Sequence, residues 1–464
     1  MNKLNHDCLT LVFEVIYNDK NSLYPCLLVN RLWCKIAVPI LWRNPWEVIT
    51  KPYGNLEKIK KARIFFNIVL LHLPEESRLL LKSQDTDKTK RRNPLLNYIF
   101  NYVFIKNQKI DILKKPQQKP LFNYISFCKY IKYQLFGQNF YEKVFRHYDN
   151  RYIKLLEQEI YKLLINKCYN IKCLDTMGVK YPLYKFPGAE ICFAKLYELY
   201  CSSKDDSSLF YGLAKICRFI ERFYIYLTTS NSGLAKLIET QQKVKYLTIR
   251  NKISHQFIRG NYGDIGSANF YNYPKLQVLQ INLLYSATFY AVNRIIQESE
   301  NDLQIISMDF NANLFTDQLL CRISQHCSNL KYLRIDLDDM YLHNFEQVLL
   351  NCQSLEGIFI YHYRDGNYLP EIGDNLLKIL INSSPLSLFK IDIGSYNIYK
   401  IHSLRNFFEN WVGRKSMWLS SINIYDYDKM NNDFNEMIEY YKHIGVIKKY
   451  KDFCFINVYN EFKF

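Results

Sequence analysis

Thirteen cysteines and nine histidines are the side chains of this 464-residue chain with the readiest chemistry. A thiolate can hold zinc or attack a carbonyl, and an imidazole can ligate a metal or take a proton. Their spacing favours neither. No Cys-x-x-Cys pair occurs and the histidines are scattered, so no metal-ligand set and no Cys–His nucleophile pair stands out. Other catalytic signatures are missing too: no Gly-x-Gly-x-x-Gly, no Gly-Lys-Ser/Thr phosphate loop, no His-Glu-x-x-His and no Gly-x-Ser-x-Gly. The stretch "GNYGDIG" (260–266) reads as a loop. The expectation is a non-enzymatic chain without a cofactor or a metal.

Four of the cysteines share a setting instead. Cys168, Cys217, Cys327 and Cys352 each stand three residues before an apolar segment, as in "HCSNLKYLRI" and "NCQSLEGIFI". A small apolar side chain suits the turn from a helix into a strand, which is a packing role.

Those apolar segments are a repeat. The unit apolar-x-x-apolar-x-apolar begins at residues 171, 196, 220, 244, 276, 303, 330, 355, 388, 419 and 453. Helix-compatible stretches separate the copies, as in 315–329 and 435–446. Strand plus helix at a period of this length is the pattern of a leucine-rich-repeat solenoid. Side chains alternate along a strand, so positions +3 and +5 from each anchor face the core. Positions +2, +4 and +6 face out, giving Tyr246, Thr248, Arg250, Gln280, Asn282, Tyr332, Arg334, Asp336, Phe359, Tyr361, Lys390, Asp392, Asn423 and Tyr425. Tyr and Arg are frequent interface anchors, and the mixed charge does not suit a polyanion. Within this set, Arg250 and Arg334 are the residues that would read a phosphate.

The N-terminus is built differently. In residues 1–45, Leu9, Val12, Phe13 and Ile16 give one apolar helical face. Ser22 reads as an N-cap with Pro25 in the first turn after it, and Trp33, Ile36, Ala37 and Ile40 form a third face. Pro39 is expected to end or kink that helix. Three such helices cannot bury every apolar face in about 40 residues, which implies a partner surface. Residues 46–166 read as mainly helical, with a clear amphipathic helix at 150–168.

The net charge of +17 is uneven, since residues 51–120 hold 16 Lys and Arg against 6 Asp and Glu. Within that stretch only Lys88, Lys90, Arg91 and Arg92 cluster tightly. Nucleic-acid binding through this region is the weakest of the functional readings. The uncharged run from Asn93 to Ile105 is too short to span a bilayer. Asn2, Lys3, Asn5, His6 and Asp7 interrupt any apolar start, so no secretory leader is expected. An odd cysteine count with no leader points to reduced thiols inside the cell, in the cytoplasm or the nucleus.

Taken together, the chain resembles an F-box protein with degenerate leucine-rich repeats of the cysteine-containing class, of the type found in large fungal paralogous families. The F-box resemblance rests on Leu4, Leu9, Val12 and Phe13, then "SLYPCLLVNRLW" and "AVPILW". The family usually has Leu-Pro at the start of this unit, whereas here Leu4 is followed by Asn5. The resemblance implies an α/β chain in three parts. These are an F-box-like unit (1–45), a mainly helical linker (46–166) and a solenoid (167–464) with strands on the concave face and helices on the convex face. It further implies docking to a Skp-type adaptor, and so to a cullin, through Leu4, Leu9, Val12, Phe13, Leu23, Leu27, Val29 and Trp33, with Trp33 the leading candidate. A protein target would be selected on Tyr246, Arg250, Tyr332, Arg334, Asp336, Phe359, Tyr361, Lys390, Asp392 and Tyr425. The alternative is a repeat scaffold with no ubiquitin role.

Overall fold

The structure, a computed structural model, describes residues 5–17, 19–46, 56–84, 120–131, 150–250, 273, 275–282, 286–299, 301–309, 316–337, 339–361, 370–393, 398–420, 422–424 and 427–451. Leu4, Lys88, Lys90, Arg91, Arg92, the run 93–105, "GNYGDIG", Tyr425 and the last repeat anchor at 453 lie outside them. The chain is α/β and falls into two compact units. One comprises residues 1–220 with 236–242, and the other 221–235 with 243–464.

The first unit opens with helices α1 (His6–Val15), α2 (Lys20–Val29) and α3 (Arg31–Leu41). Caps set their limits. Asp19, not Ser22, is the N-cap of α2, and its carboxylate accepts from the Ser22 amide at 3.3 Å. Pro25 therefore lies inside α2 rather than in its first turn. Pro39 does not end α3, which runs two residues further to Leu41. Helices Leu56–Leu71, Glu75–Gln84 and Asn150–Lys167 follow. Strands β1 (Tyr130–Ile131), β2 (Cys173–Asp175) and β3 (Glu198–Ser202) pair in parallel in that order. The sheet thus starts at Tyr130, inside the stretch read as mainly helical. Its anchor position there is Cys128, which the apolar motif passes over.

The second unit carries β4 (Arg222–Tyr226), β5 (Tyr246–Arg250), β6 (Val278–Asn282), β7 (Ile305–Asp309), β8 (Tyr332–Asp336), β9 (Gly357–Tyr361), β10 (Lys390–Asp392), β11 (Ile398–Tyr399), β12 (Met417–Ser420), β13 (Asn423–Ile424) and β14 (Ile447–Lys451). Nine of these form one parallel sheet in chain order, while β11 and β13 pair apart in a short ribbon. In the nine copies with anchors from 171 to 388, each strand begins two residues after its anchor. One ladder of core residues then runs Leu247, Leu279, Ile306, Leu333, Ile358, Ile391, Leu419 from β5 to β12. Every member is at most 2 % exposed.

The strand order in this sheet never reverses. Crossovers between parallel strands are right-handed, so steady progress in one direction places every helix on the same face. The opposite face then receives none of these crossover helices. Among the described residues this order has no switch point, the place where open α/β sheets usually bind small ligands.

The four marked cysteines sit at the helix-to-strand turns and are at most 1 % exposed. Each amide closes the last helical turn, as in Cys217 N to Leu213 O at 2.7 Å. Three thiols donate to a carbonyl of the preceding repeat: Cys168 to Ile125 at 3.1 Å, Cys217 to Phe193 at 3.5 Å and Cys352 to Cys327 at 3.2 Å. Burial pushes the Cys217 and Cys352 thiols up to about 12, so they stay protonated and unreactive at neutral pH.

Candidate interaction surfaces

The three-helix unit has a closed core of Leu9, Phe13, Leu23, Cys26, Ile36, Ala37 and Ile40. Trp33 lies edge-on to Phe13 at 5.2 Å and is half-buried, as is Leu27. Arg43 grips Glu14 with both guanidinium nitrogens, one bond measuring 2.7 Å, and so ties α1 to the end of α3. That paired hydrogen bond holds the Glu14 carboxyl below its ordinary range. Trp42 then packs on Phe65 at 5.4 Å and on Tyr124 at 4.8 Å, fixing α3 to helix Leu56–Leu71.

Burial divides the adaptor-facing candidates. Leu9, Phe13 and Leu23 are at most 2 % exposed and serve internal packing, whereas Val12 and Val29 are about half exposed, at 49 % and 54 %. Five further apolar side chains are exposed beside them: Leu11, Val15, Tyr24, Leu28 and Leu32, with Leu28 at 90 % and Val15 at 82 %. Sequence reasoning passed over these because the search was for one core stripe per helix. The signal was there, since α1 carries Leu9, Leu11, Val12, Phe13 and Val15, with Ile16 as its C-cap. Leu11, Val12 and Val15 lie outside the stripe that Leu9 and Phe13 bury.

Lateral register organises the open sheet face of the second unit. One row runs Tyr246, Val278, Ile305, Tyr332, Gly357, Lys390, Trp418. A parallel row runs Thr248, Gln280, Ser307, Arg334, Phe359, Asp392, Ser420. The expectation that +2, +4 and +6 positions are presented to solvent needs correction at several sites. Tyr332, Asp336, Phe359 and Asp392 are buried, at 9 % exposure or less. Tyr332 and Phe359 pack with Ile305 and Val278 into an apolar cluster on this face, so neighbouring strands cover one another's side chains. Tyr246, Arg250, Arg334 and Lys390 are half-buried. The side chain of Tyr361 lies outside the described residues. Asn423 belongs to β13 in the separate ribbon and not to this face.

Gly357 shapes the centre of the first row. A Cβ there would meet the Tyr332 ring at 2.7 Å, so the missing side chain lets that ring lie across β9. The Tyr332 hydroxyl then donates to Glu356 at 2.8 Å. Burial, followed by Glu356, pushes this phenol up to about 12, which keeps it a donor. Lys390 Nζ lies 5.0 Å from the Tyr332 ring centroid, 5.7 Å from Phe389 and 5.3 Å from Trp418. Trp418 and Lys415 were missed from sequence because the motif placed the strand at 421–425, and Lys449 because the motif passed over β14; Phe389 is next to the anchor at 388 and outside the +2, +4 and +6 positions.

A groove of about 350 Å³ lies between helices Glu75–Gln84 and Asn150–Lys167. Its buried acid, Glu159, is already satisfied by Ser77 at 2.6 Å and Lys162 at 2.7 Å. Among the described residues, no three His, Cys, Asp or Glu side chains gather to hold a metal, and no helix is long and apolar enough to cross a membrane. No protein-family model matches the sequence, and no curated protein is similar to it.

Proposed function

We propose that the chain is the substrate-recognition subunit of a Skp–cullin–F-box ubiquitin ligase, working in the cytoplasm or nucleus. Residues 1–45 would dock the Skp-type adaptor as an F-box-like unit. The parallel repeats, read as leucine-rich repeats, would hold a protein target. The chain itself would perform no covalent step; it would hold the target near the transferring enzyme, a proximity effect.

The observation that carries this reading is the exposed apolar set Leu11, Val12, Val15, Tyr24, Leu28, Val29 and Leu32 on a unit whose core is already filled. Covering a fully exposed large apolar side chain gains about 1.5–3 kcal/mol and a half-exposed one proportionally less, so a partner would recover the cost of displaying them. Asn5, where the family usually has proline, supports the reading as well. Its φ of −62° lies where a proline ring would hold it, and its carbonyl accepts from the Leu9 amide at 3.0 Å. The backbone path that a proline favours is therefore kept.

The test is retention of a purified Skp-type adaptor by the full chain. Wild type is expected to retain it. The triple variant Val12→Glu, Leu28→Glu, Val29→Glu is expected to lose about tenfold or more in affinity, with unchanged circular dichroism. Phe13→Ala is a poor probe, because it would open the core of the unit. A wild-type chain that fails to retain the adaptor sinks the ligase reading and leaves a repeat scaffold without a ubiquitin role.

A further inference from the structure

We propose that the sheet face around Trp418 binds an acidic, extended segment of a partner protein. Lys390 on β10, Trp418 on β12 and Lys449 on β14 stand side by side in register. Lys449 Nζ lies 5.4 Å from the Trp418 ring centroid, and Lys390 Nζ lies 5.3 Å from it. Phe389 meets Trp418 edge-on at 6.2 Å, and Lys415 Nζ sits 3.5 Å over the Phe389 ring. Trp418 remains 38 % exposed. None of the three lysines is in an ion pair among the described residues. Glu356, next to β9, accepts a hydrogen bond from the Tyr332 hydroxyl.

Ring faces hold ammonium groups in place without neutralising them. The patch therefore combines three oriented cations with an exposed Trp, a residue type enriched among interface hot spots. Strands lie about 4.8 Å apart, so Lys390 and Lys449 flank Trp418 at a span of ~10 Å. An extended peptide covers that span in roughly three residues. Side chains of an extended peptide alternate, so the matching ligand carries acidic side chains four positions apart with an apolar side chain midway on the same face.

A nucleic-acid strand fits less well. Lys415 already covers a face of Phe389 that a base would need, and Asp336 and Asp392 share the sheet face. The cations form a patch rather than the track a polyanion follows.

The proposal specifies the target face of the proposed receptor and rests on that reading for its biological role. Peptide binding and adaptor retention are measured separately, so either can fail alone. The probe is a short fluorescein-labelled peptide with Glu at every fourth position, Leu midway between the Glu residues and Ser elsewhere, followed by anisotropy with the full chain. Binding is expected to weaken as salt rises, and to fall about tenfold or more in Lys415→Glu, Lys449→Glu. Lys378→Glu, an exposed site on helix Pro370–Ser383, is expected to bind like wild type. Equal binding of a Gln-substituted peptide overturns the proposal. So does an unaffected double variant with native circular dichroism, or an oligothymidylate that binds more tightly than the Glu peptide.

Discussion

Glu157 sits on helix Asn150–Lys167 with its carboxylate 3.1 Å from the Tyr181 hydroxyl, which also lies 2.8 Å from the Lys154 carbonyl. Burial pushes this carboxyl up to about 7, against the lowering pull of the Tyr181 bond and of Lys180 and Lys154. A protonated carboxyl could donate to the hydroxyl, freeing the hydroxyl's own proton for Lys154. Between about pH 4.5 and 7 the folded chain then holds a proton that the unfolded chain has released. Its contribution to stability is full below the lower limit and is lost as pH rises through the upper one. Glu157→Gln is expected to remove this loss, so its unfolding midpoint relative to wild type should climb between pH 5 and pH 8. A constant difference across that range would show that Glu157 does not titrate there. Nothing in the sequence marks this residue, because its partner, Tyr181, belongs to a turn far along the chain. The four turn cysteines were legible, by contrast, because their role is set by distance from a local pattern.

Element boundaries were legible where one side chain decides them and obscure where the pattern is degenerate. Strand β12 is the clearest case. Its anchor position is Ser416, which is not apolar, and the alternation Met417, Leu419, Ile422, Ile424 runs on past the strand. A motif search therefore settles three residues late and promotes β13, which pairs with β11 instead. Strand β14 was missed because "IKKYK" is mostly charged. The α2–α3 corner is decided by Asn30. This residue is extended, with φ −165° and ψ 174°, and is at once the C-cap of α2 and the N-cap of α3. Its side chain accepts from the Trp33 amide at 2.9 Å. Asn30→Ala is expected to destabilise the three-helix unit by about 1 kcal/mol, lowering its unfolding temperature, while Asn30→Asp keeps the acceptor and should restore it. Adaptor retention should weaken with Ala and recover with Asp, because Leu28, Val29 and Leu32 flank this corner. Equal stability of the two variants would remove the cap from the account.

At the scale of the whole chain, a sheet that advances one strand at a time draws its stability from neighbours. Each repeat buries its core ladder only against the repeats beside it. The nine repeats with anchors from 171 to 388 were readable from periodicity, but not the strands on either side of them, because those strands lack the apolar surplus that makes the motif visible. Among the described residues β14 ends the order in the second unit, and Lys448, Lys449 and Lys451 line it. Lysines on an outer strand discourage a further strand from adding. The same composition leaves β14 with less apolar burial than β8, where Leu333 and Ile335 are at most 1 % exposed. Local opening follows buried contact and hydrogen-bond enclosure. Amide hydrogen exchange in the full chain is therefore expected to be slowest in β7, β8 and β9 and fastest in β14. Saturating the Trp418 patch with the Glu peptide should slow β14 and β12 and leave β7 unchanged, since the ligand bridges only the last strands. Uniform protection along the sheet would mean that the repeats open as one block, and the nearest-neighbour description would have to be given up.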